Sequence, residues 1–585
     1  MELTDEIART ILSGFNKHYR LFREVSAEAR ERFEMRAWAA LGADSRRRID
    51  MYDRRVAEAV EATRERFPEA FTDEHLWPPI KQAYVTQLYG HKQPELAETF
   101  FNSVACRILR RRYYSNEHIF WRPAVAAESI DTVQLTWRAY FPRMTALHRT
   151  LRNVLDDFGL RAPLAHPKED VRAILRAIRL WFPRRDRMQD VQVQVLSSLF
   201  FRNRAAYIVG RVLHDNEASP FVVALRHGEQ GVCVDALVHR REHLTNLLSL
   251  SHTYFMVNME APSAWVSFLQ SLVPAKPKAE LYTALGLQKQ GKTLFYRDLH
   301  DHLKHTTDRF VVAPGTRGMV MAVFTLPSFP YVFKCIRDHF DPPKDTSREE
   351  VKEKYLLAKH HDRIGRMSDT FEYSDVALPR DRFDPDLLVE LRKKIPSLLS
   401  EEGEHVILRH LYIEQRLIPL DVYVRDALAR GDETQLRRGI DELGQSLREL
   451  AEVNIFPGDL LPKNFGLTRY GRLVFYDYDE MTYLTSCNFR RIPKAPGYDE
   501  ETSGEAWFSV DAGDVFPEEF STFLFPPGPA RDLFREIHGD LLDPAFWIAA
   551  QKRVKSGTEA ELLPYPESTR LTTVRGQKKK VSLYP

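Results

Sequence analysis

The stretch NIFPGDLLPKNFGLTRYGRLVFYDYDE, from Asn454 to Glu480, constrains the fold more than any other part of the chain. Helical periodicity in LRRGIDELGQSLRELAEVNI stops at the breaker pair Pro457-Gly458, which puts Asp459 on a loop after a helix. Asn464 follows with Lys463 beside it, and RLVFYDYDE predicts a short apolar strand running into Asp477 and Asp479. Two acids two residues apart on a strand end point the same way. Phosphoryl transfer needs such a set: one carboxylate orients the attacking hydroxyl, while an amide oxygen and a second carboxylate hold Mg²⁺ against the phosphates. Mg²⁺ takes hard oxygen ligands and needs few from the protein. Each Asp alone has a plainer reading, because turns favour Asp. The ordered set does not.

Residues upstream extend the pattern. RFVVAPGTRGMVMAVFTLPSFPYVFKCIRD predicts strand, Gly-containing turn, strand, Pro turn, strand, and SREEVKEKYLLAKHHDRIGRM predicts a helix. Gly315 and Gly318 flank Thr316 and Arg317 in the first turn, and glycines let backbone amides approach phosphate oxygens. Many hairpins carry two glycines, and neither a full Gly-x-Gly-x-x-Gly loop nor a P-loop is present. Lys334 lies within an apolar strand, where an ammonium needs an anion. One reading is an edge lysine facing solvent. The other is the lysine that contacts nucleotide phosphates and pairs with a helix Glu. Glu349, Glu350 and Glu353 are the acids the next helix offers. HLYIEQRLIPLDVYV then predicts a strand leading into a helix, where a kinase has its hinge. The order of these parts predicts a kinase-like unit from about residue 309 onward.

The preceding residues predict a mostly helical unit. Ile7, Ile11, Phe15, Tyr19 and Phe22 recur at helical spacing. AAYIVGRVL, FVVALRH and GVCVDALVH interrupt the helices as a small antiparallel sheet. A net charge of +2 gives no global field for nucleic acid, and four scattered cysteines form neither a disulfide framework nor a zinc site. The uncharged run of interest, Met319 to Phe333, holds two prolines and is shorter than the roughly 20 residues a membrane span needs. A cytoplasmic protein with neither nucleic-acid nor membrane partners is expected. The tail residues Lys578, Lys579 and Lys580 are expected to be a solvated end.

APGTRGMVM, YVFKCIRD, HDRIGRMSDT, GDLLPKNFG, VFYDYDE and SVDAGDVFPEEF together resemble the isocitrate dehydrogenase kinase/phosphatase family over almost the whole chain. The resemblance implies an α+β fold: an atypical bilobal kinase-like domain (309–585) behind a mainly helical regulatory domain (1–308). It implies ATP or ADP binding by Ala313, Pro314, Gly315, Thr316, Arg317, Gly318, Met319 and Lys334. It implies Asp459 as the kinase base and Mg²⁺ on Asn464 and Asp477. It assigns Asp369 to the phosphatase reaction, where the residues alone indicate only solvation or capping. It implies isocitrate dehydrogenase as the protein substrate, with AMP and metabolites as effectors. Asp479 replaces the Gly of the kinase Asp-Phe-Gly, and we expect it to orient water or metal for hydrolysis. A small-molecule kinase of the aminoglycoside or choline type, and a non-catalytic scaffold on a degenerate kinase fold, are the alternatives.

Overall fold

The computed structural model describes residues 3–571 except 110–116, 126–135, 143–146, 182–190, 215–216, 250–253, 316, 341, 343, 345, 363, 494–507, 512 and 558–563. Thr316, most of the segment between Ile492 and Phe508, and the lysine tail therefore lie outside the description.

The chain begins with α1 (Leu3–Glu34), α2 (Trp38–Arg66), α3 (Trp77–Gln87), α4 (Pro94–Leu109), α5 (Leu147–Asp156) and α6 (Pro167–Trp181). The periodic residues of α1, Ile7 to Phe22, are all buried. Burying an Ile or Phe side chain is worth about 1.5–3 kcal/mol, so this stripe outweighs the helix's own propensity. The expected sheet is present as β4 (Ala205–His214), β5 (Glu217–Gly228) and β6 (Gly231–Val238). It is larger than the sequence indicated. Strands β1 (Trp137–Tyr140) and β2 (Gln192–Leu196) extend it to the order β1-β2-β4-β5-β6, with β3 (Phe200–Arg202) pairing β4. Helices α7 (Arg241–Leu247), α8 (Pro262–Leu272), α9 (Lys278–Ala284) and α10 (Gln288–His305) follow.

Next come β7 (Val311–Val312), β8 (Met321–Thr325) and β9 (Tyr331–Ile336), the three strands read from the sequence. Then follow α11 (Arg348–His361), β10 (Thr370–Pro379), α12 (Pro385–Lys394), β11 (Leu399–Glu402) and β12 (His405–Gln415). These strands form one antiparallel sheet of order β10-β12-β9-β8-β7, with β11 pairing β12. Its core is shared with α10, whose Phe295 and Leu299 pack with Phe324, Phe333 and Leu378. The chain then crosses to a second, mainly helical lobe through β13 (Ile418–Pro419), α13 (Leu420–Arg430), α14 (Glu433–Glu452), β14 (Ile455–Phe456), β15 (Phe465–Leu467), β16 (Leu473–Phe475) and β17 (Thr482–Tyr483). A separate core of Leu443, Leu447, Phe465, Phe475 and Trp547 fills that lobe.

Two predicted helices end early. The helix expected through Met367 stops at His361, because the Asp362 carboxylate accepts from the backbone N–H groups of Ile364, Gly365, Arg366 and Met367. An acceptor for four donors holds the chain in a turn better than another helical turn would. The helix expected through Ile455 ends at Glu452, and Asn454, at φ 64°, redirects Ile455 and Phe456 to pair with Tyr483 and Thr482. Asn tolerates this left-handed conformation.

Candidate active site

The loop after β14 carries Asp459 into the cleft between the lobes. Gly458 has φ 78°, and a Cβ there would stand 2.2 Å from the Glu480 carbonyl oxygen. Only glycine lets the Asp459 loop touch the segment bearing Asp477 and Asp479. Asn464 closes a short 3₁₀ turn, is 3% exposed, and donates Nδ2–H to the Asp459 carbonyl at 3.1 Å. That bond leaves Oδ1 for another partner. The Tyr476 N–H donates to the Asn464 carbonyl at 3.1 Å, fixing the segment that follows β16 and bears Asp477.

Charge accumulates here. Burial pushes Asp477 above the usual carboxylate range and Asp459 adds to this, while Lys334, Lys344 and Lys463 oppose it. Asp479 is pushed up to about 6, by burial first and then by Asp477. Buried acids held this close need cations. Asn464 Oδ1 and the Asp477 carboxylate are the hard donors Mg²⁺ takes. Among the described residues no group of three or more His, Cys, Asp or Glu forms a metal cage. A nucleotide-bound Mg²⁺ needs none, since phosphates and water complete its octahedron.

Lys334 reaches the same cleft from β9, 8% exposed, with its ammonium 5.4 Å from the centre of the Tyr476 ring. Its anion is not on the helix. The Lys334 Nζ donates to Glu414 Oε2 at 2.9 Å, from the end of β12. Glu349, Glu350 and Glu353 are all exposed, and Glu350 is used in a capping box with Ser347. The reason lies in the inner face of α11, where Val351 is buried and Tyr355 stacks on Tyr412 with ring centres 4.2 Å apart. Tyr412 is the register partner of Lys334, so this aromatic pair lines the side from which a helix acid would approach. Glu414 escaped the sequence reading because its strand register with β9 is set by tertiary pairing.

The Gly-containing turn joins β7 to β8, as its sequence predicts. Gly315 takes φ 111° with open space around it, and the Ala313 N–H bonds Val323. Arg317 is paired at 3.3 Å with Glu390 of α12, and Met319 is exposed. Pro314 and Gly318 lie in the same turn. A residue not singled out from the sequence, Lys344, meets Glu480 at 2.6 Å and Asp479 at 3.7 Å.

Asp369 stands elsewhere. It is not at a helix end but in the segment leading into β10. Arg366 anchors that segment, buried between Glu442 and Glu449 of α14, and Ser368 bonds Phe475. Tyr478, which lies between Asp477 and Asp479 in sequence, turns its hydroxyl to the Ser368 carbonyl. Asp369 lines a cavity of about 50 Å³ with Lys276, Glu280, Gln415 and Tyr470. Burial, followed by Glu280, pushes it up to about 6. The structure thus brings Lys334, Asp459, Asn464, Asp477 and Asp479 together and leaves Asp369 behind them. Glu414 spans the gap, accepting from Lys334 through one oxygen and from Thr370 Oγ1 at 3.3 Å through the other.

Comparison with known proteins bears on this geometry. Residues 308–567 match the model of the isocitrate dehydrogenase kinase/phosphatase (AceK) kinase domain, and residues 8–307 match that family's regulatory domain. The chain belongs to the isocitrate dehydrogenase kinase/phosphatase family. Relatives carrying that name in Burkholderia mallei (strain ATCC 23344) and Burkholderia pseudomallei (strain K96243) are 48% identical over 570 residues, covering 97% of this chain and 94% of theirs. The Burkholderia thailandensis protein is 47% identical over the same span. Membership of this kinase/phosphatase family fits a two-lobed unit with a lysine, an amide and acids in its cleft. No helix among the described residues is long and apolar enough to cross a membrane.

Proposed function

We propose that this chain is a bifunctional ATP-dependent serine kinase and phosphoserine phosphatase acting on isocitrate dehydrogenase, and that it sets carbon flux between the tricarboxylic acid cycle and the glyoxylate bypass. The observation that carries the reading is the convergence of Lys334, Asp459, Asn464 and Asp477 on one cleft in a chain related over 97% of its length to proteins of that name. Asp459 orients the serine hydroxyl. Asn464 and Asp477 would hold Mg²⁺, which would screen phosphate charge. Lys334 exchanges Glu414 for the nucleotide phosphates, and the Ala313–Met319 turn covers them. A phosphate on a serine of the isocitrate site would repel the carboxylates of isocitrate.

Asp479 serves the reverse reaction, orienting the water that attacks phosphoserine. Asp369 acts on the same reaction from behind the cleft, through its neighbour Thr370, which bonds Glu414 of β12. The reading divides the chain into a regulatory unit, 1–308, and a catalytic unit, 309–585, acting in the cytoplasm. AMP is its effector. A cavity of about 130 Å³ lined by His18, Arg48, Tyr52, Lys289, Lys292 and Lys359 supports that assignment, offering aromatic faces and cations together.

Incubation with radiolabelled ATP, Mg²⁺ and purified isocitrate dehydrogenase tests the reading. Label on a serine of the dehydrogenase is expected, and its absence refutes the proposal. Asp479→Ala should abolish dephosphorylation; a variant that instead loses the kinase reaction and keeps the phosphatase overturns the role given to Asp479.

A further inference from the structure

One carboxylate outside the cleft ties together elements from three parts of the chain. Glu280, on α9, is 9% exposed and accepts from five side chains. Lys276 binds it at 2.7 Å from the turn before α9. The Tyr331 hydroxyl, at 3.0 Å, comes from the start of β9 in the sheet-bearing lobe. Gln415 Nε2, at 2.7 Å, comes from the last residue of β12, where the chain leaves that lobe. Arg469 and Tyr470, at 2.8 and 3.3 Å, come from the turn between β15 and β16 in the helical lobe. Glu280 therefore touches both lobes and the strand end that links them. The adjacent Arg416 locks the same crossing to the turn between β8 and β9, bonding Thr325 Oγ1, the Pro327 carbonyl and the Phe329 carbonyl.

We propose that Glu280 is a positioning residue: a clamp from the N-terminal half that fixes the angle between the two lobes and so sets how tightly the cleft closes on its nucleotide. Lys334 and the glycine turn lie on one lobe, and Asp459, Asn464 and Asp477 on the other. Their spacing is a function of that angle. A buried carboxylate bonded to two cations and three neutral donors has one low-energy arrangement, and opening the lobes must break contacts on at least one side. Lys276 also stands beside Asp369 in the same cavity, so the clamp adjoins the segment that the proposed phosphatase reaction uses. Any movement of α9 is thereby transmitted to the cleft as a rotation of lobes, without a ligand bridging the two.

The inference rests on the kinase/phosphatase reading only for the purpose of the cleft, and its test is independent of the protein substrate. Glu280→Gln keeps size but leaves Lys276 and Arg469 without their anion. Tyr331→Phe removes only the hydroxyl that reaches the sheet-bearing lobe. Affinity is read by titration with a fluorescent ATP analogue, and closure by hydrogen exchange at residues 415–418. Glu280→Gln should weaken nucleotide affinity by about tenfold and speed exchange at the crossing, and Tyr331→Phe should weaken affinity by about threefold. In the double variant Tyr331→Phe should add nothing further, because its effect passes through Glu280. A folded Glu280→Gln protein with wild-type affinity and exchange overturns the proposal. So does full additivity of the two changes. If Glu280→Gln fails to fold, unaltered affinity and exchange in Tyr331→Phe overturn it. Should the wild type fail to label isocitrate dehydrogenase, the functional reading falls while exchange at 415–418 still decides the clamp.

Discussion

Replacing Glu414 by Gln tests which acid the strand lysine uses. Lys334 and Glu414 are 8% and 2% exposed, and their charges meet at 2.9 Å. Breaking a buried pair by removing one partner costs about 3–5 kcal/mol, because the remaining charge stays buried without compensation. The amide still offers Lys334 an oxygen and can donate to Thr370, so the lower end, about 3 kcal/mol, applies. A domain of this size shifts its melting midpoint by about 2 °C per kcal/mol, giving a fall of about 6 °C in the absence of nucleotide. ATP with Mg²⁺ supplies phosphate oxygens for Lys334, so the variant should regain more of its midpoint on adding nucleotide than the wild type gains. Glu349→Gln, Glu350→Gln and Glu353→Gln should each leave nucleotide affinity unchanged, since all three acids face solvent. Thermal melts with and without nucleotide, beside affinity titrations, decide the matter. If Glu414→Gln melts like the wild type, or one of the helix variants weakens nucleotide binding instead, the pairing seen here is not the working one.

Three further outcomes are expected. Asp459→Asn should lower the rate of serine phosphorylation by about a hundredfold to ten-thousandfold while nucleotide affinity holds, as a lost hydroxyl-orienting group requires; single-turnover labelling and a binding titration separate the two. Burial, then Lys289 and Lys359, lowers Lys292 to about 7. Its charge is present below that pH and lost above it, so AMP should bind more tightly at about pH 6 than at about pH 8, and Lys292→Met should flatten that difference in calorimetry. Arg366→Met removes the buried cation between Glu442 and Glu449, leaving Arg472 as the partner of Glu449, and should destabilise the helical lobe by about 3 kcal/mol in urea unfolding.

What the sequence disclosed depended on distance along the chain. The strand before Asp477, the loop bearing Asp459 and the hairpin bearing Lys334 were legible because apolar periodicity and breaker residues act over a few positions, although that strand stops at Phe475 and leaves Asp479 in a turn. The partner of Lys334 was not, because Glu414 reaches it through a β9–β12 register joining residues 80 apart. Strands β1 and β2 were missed for the same reason: each is short, and Trp137 finds its partner Leu196 only across intervening helices. The two helix overruns have a local cause that periodicity does not express. Asp362 offers its carboxylate to the backbone, and Asn454 accepts a left-handed turn. Asp369 carried no local signal. Its enclosure comes from Lys276, Glu280 and Tyr470, which arrive from distant parts of the chain.

The second acid of the Asp-Tyr-Asp run is what the proposed function asks of a cleft that holds two chemistries. The strand stops at Phe475 and Asp479 sits in the turn that follows, where Asp477 and Asp479 both feel Lys334 and Lys344 while Tyr478 turns its hydroxyl to the Ser368 carbonyl. The cleft gains a carboxylate while Tyr478, 2% exposed, stands between it and the Ser368–Asp369 segment as a wall. That carboxylate titrates near 6 because burial and Asp477 disfavour its charge, and Lys344 at 3.7 Å opposes them. A group poised there can accept a proton from water, which a glycine at the same position cannot. Behind the wall, Glu414 holds Lys334 with one oxygen and Thr370, the neighbour of Asp369, with the other. Were Lys334 to leave Glu414 for a nucleotide phosphate, as proposed, the carboxylate would lose a cation and its bond to Thr370 would strengthen. Under the proposed function, Glu414 and Thr370 would link nucleotide arrival in the cleft to the segment that bears Asp369.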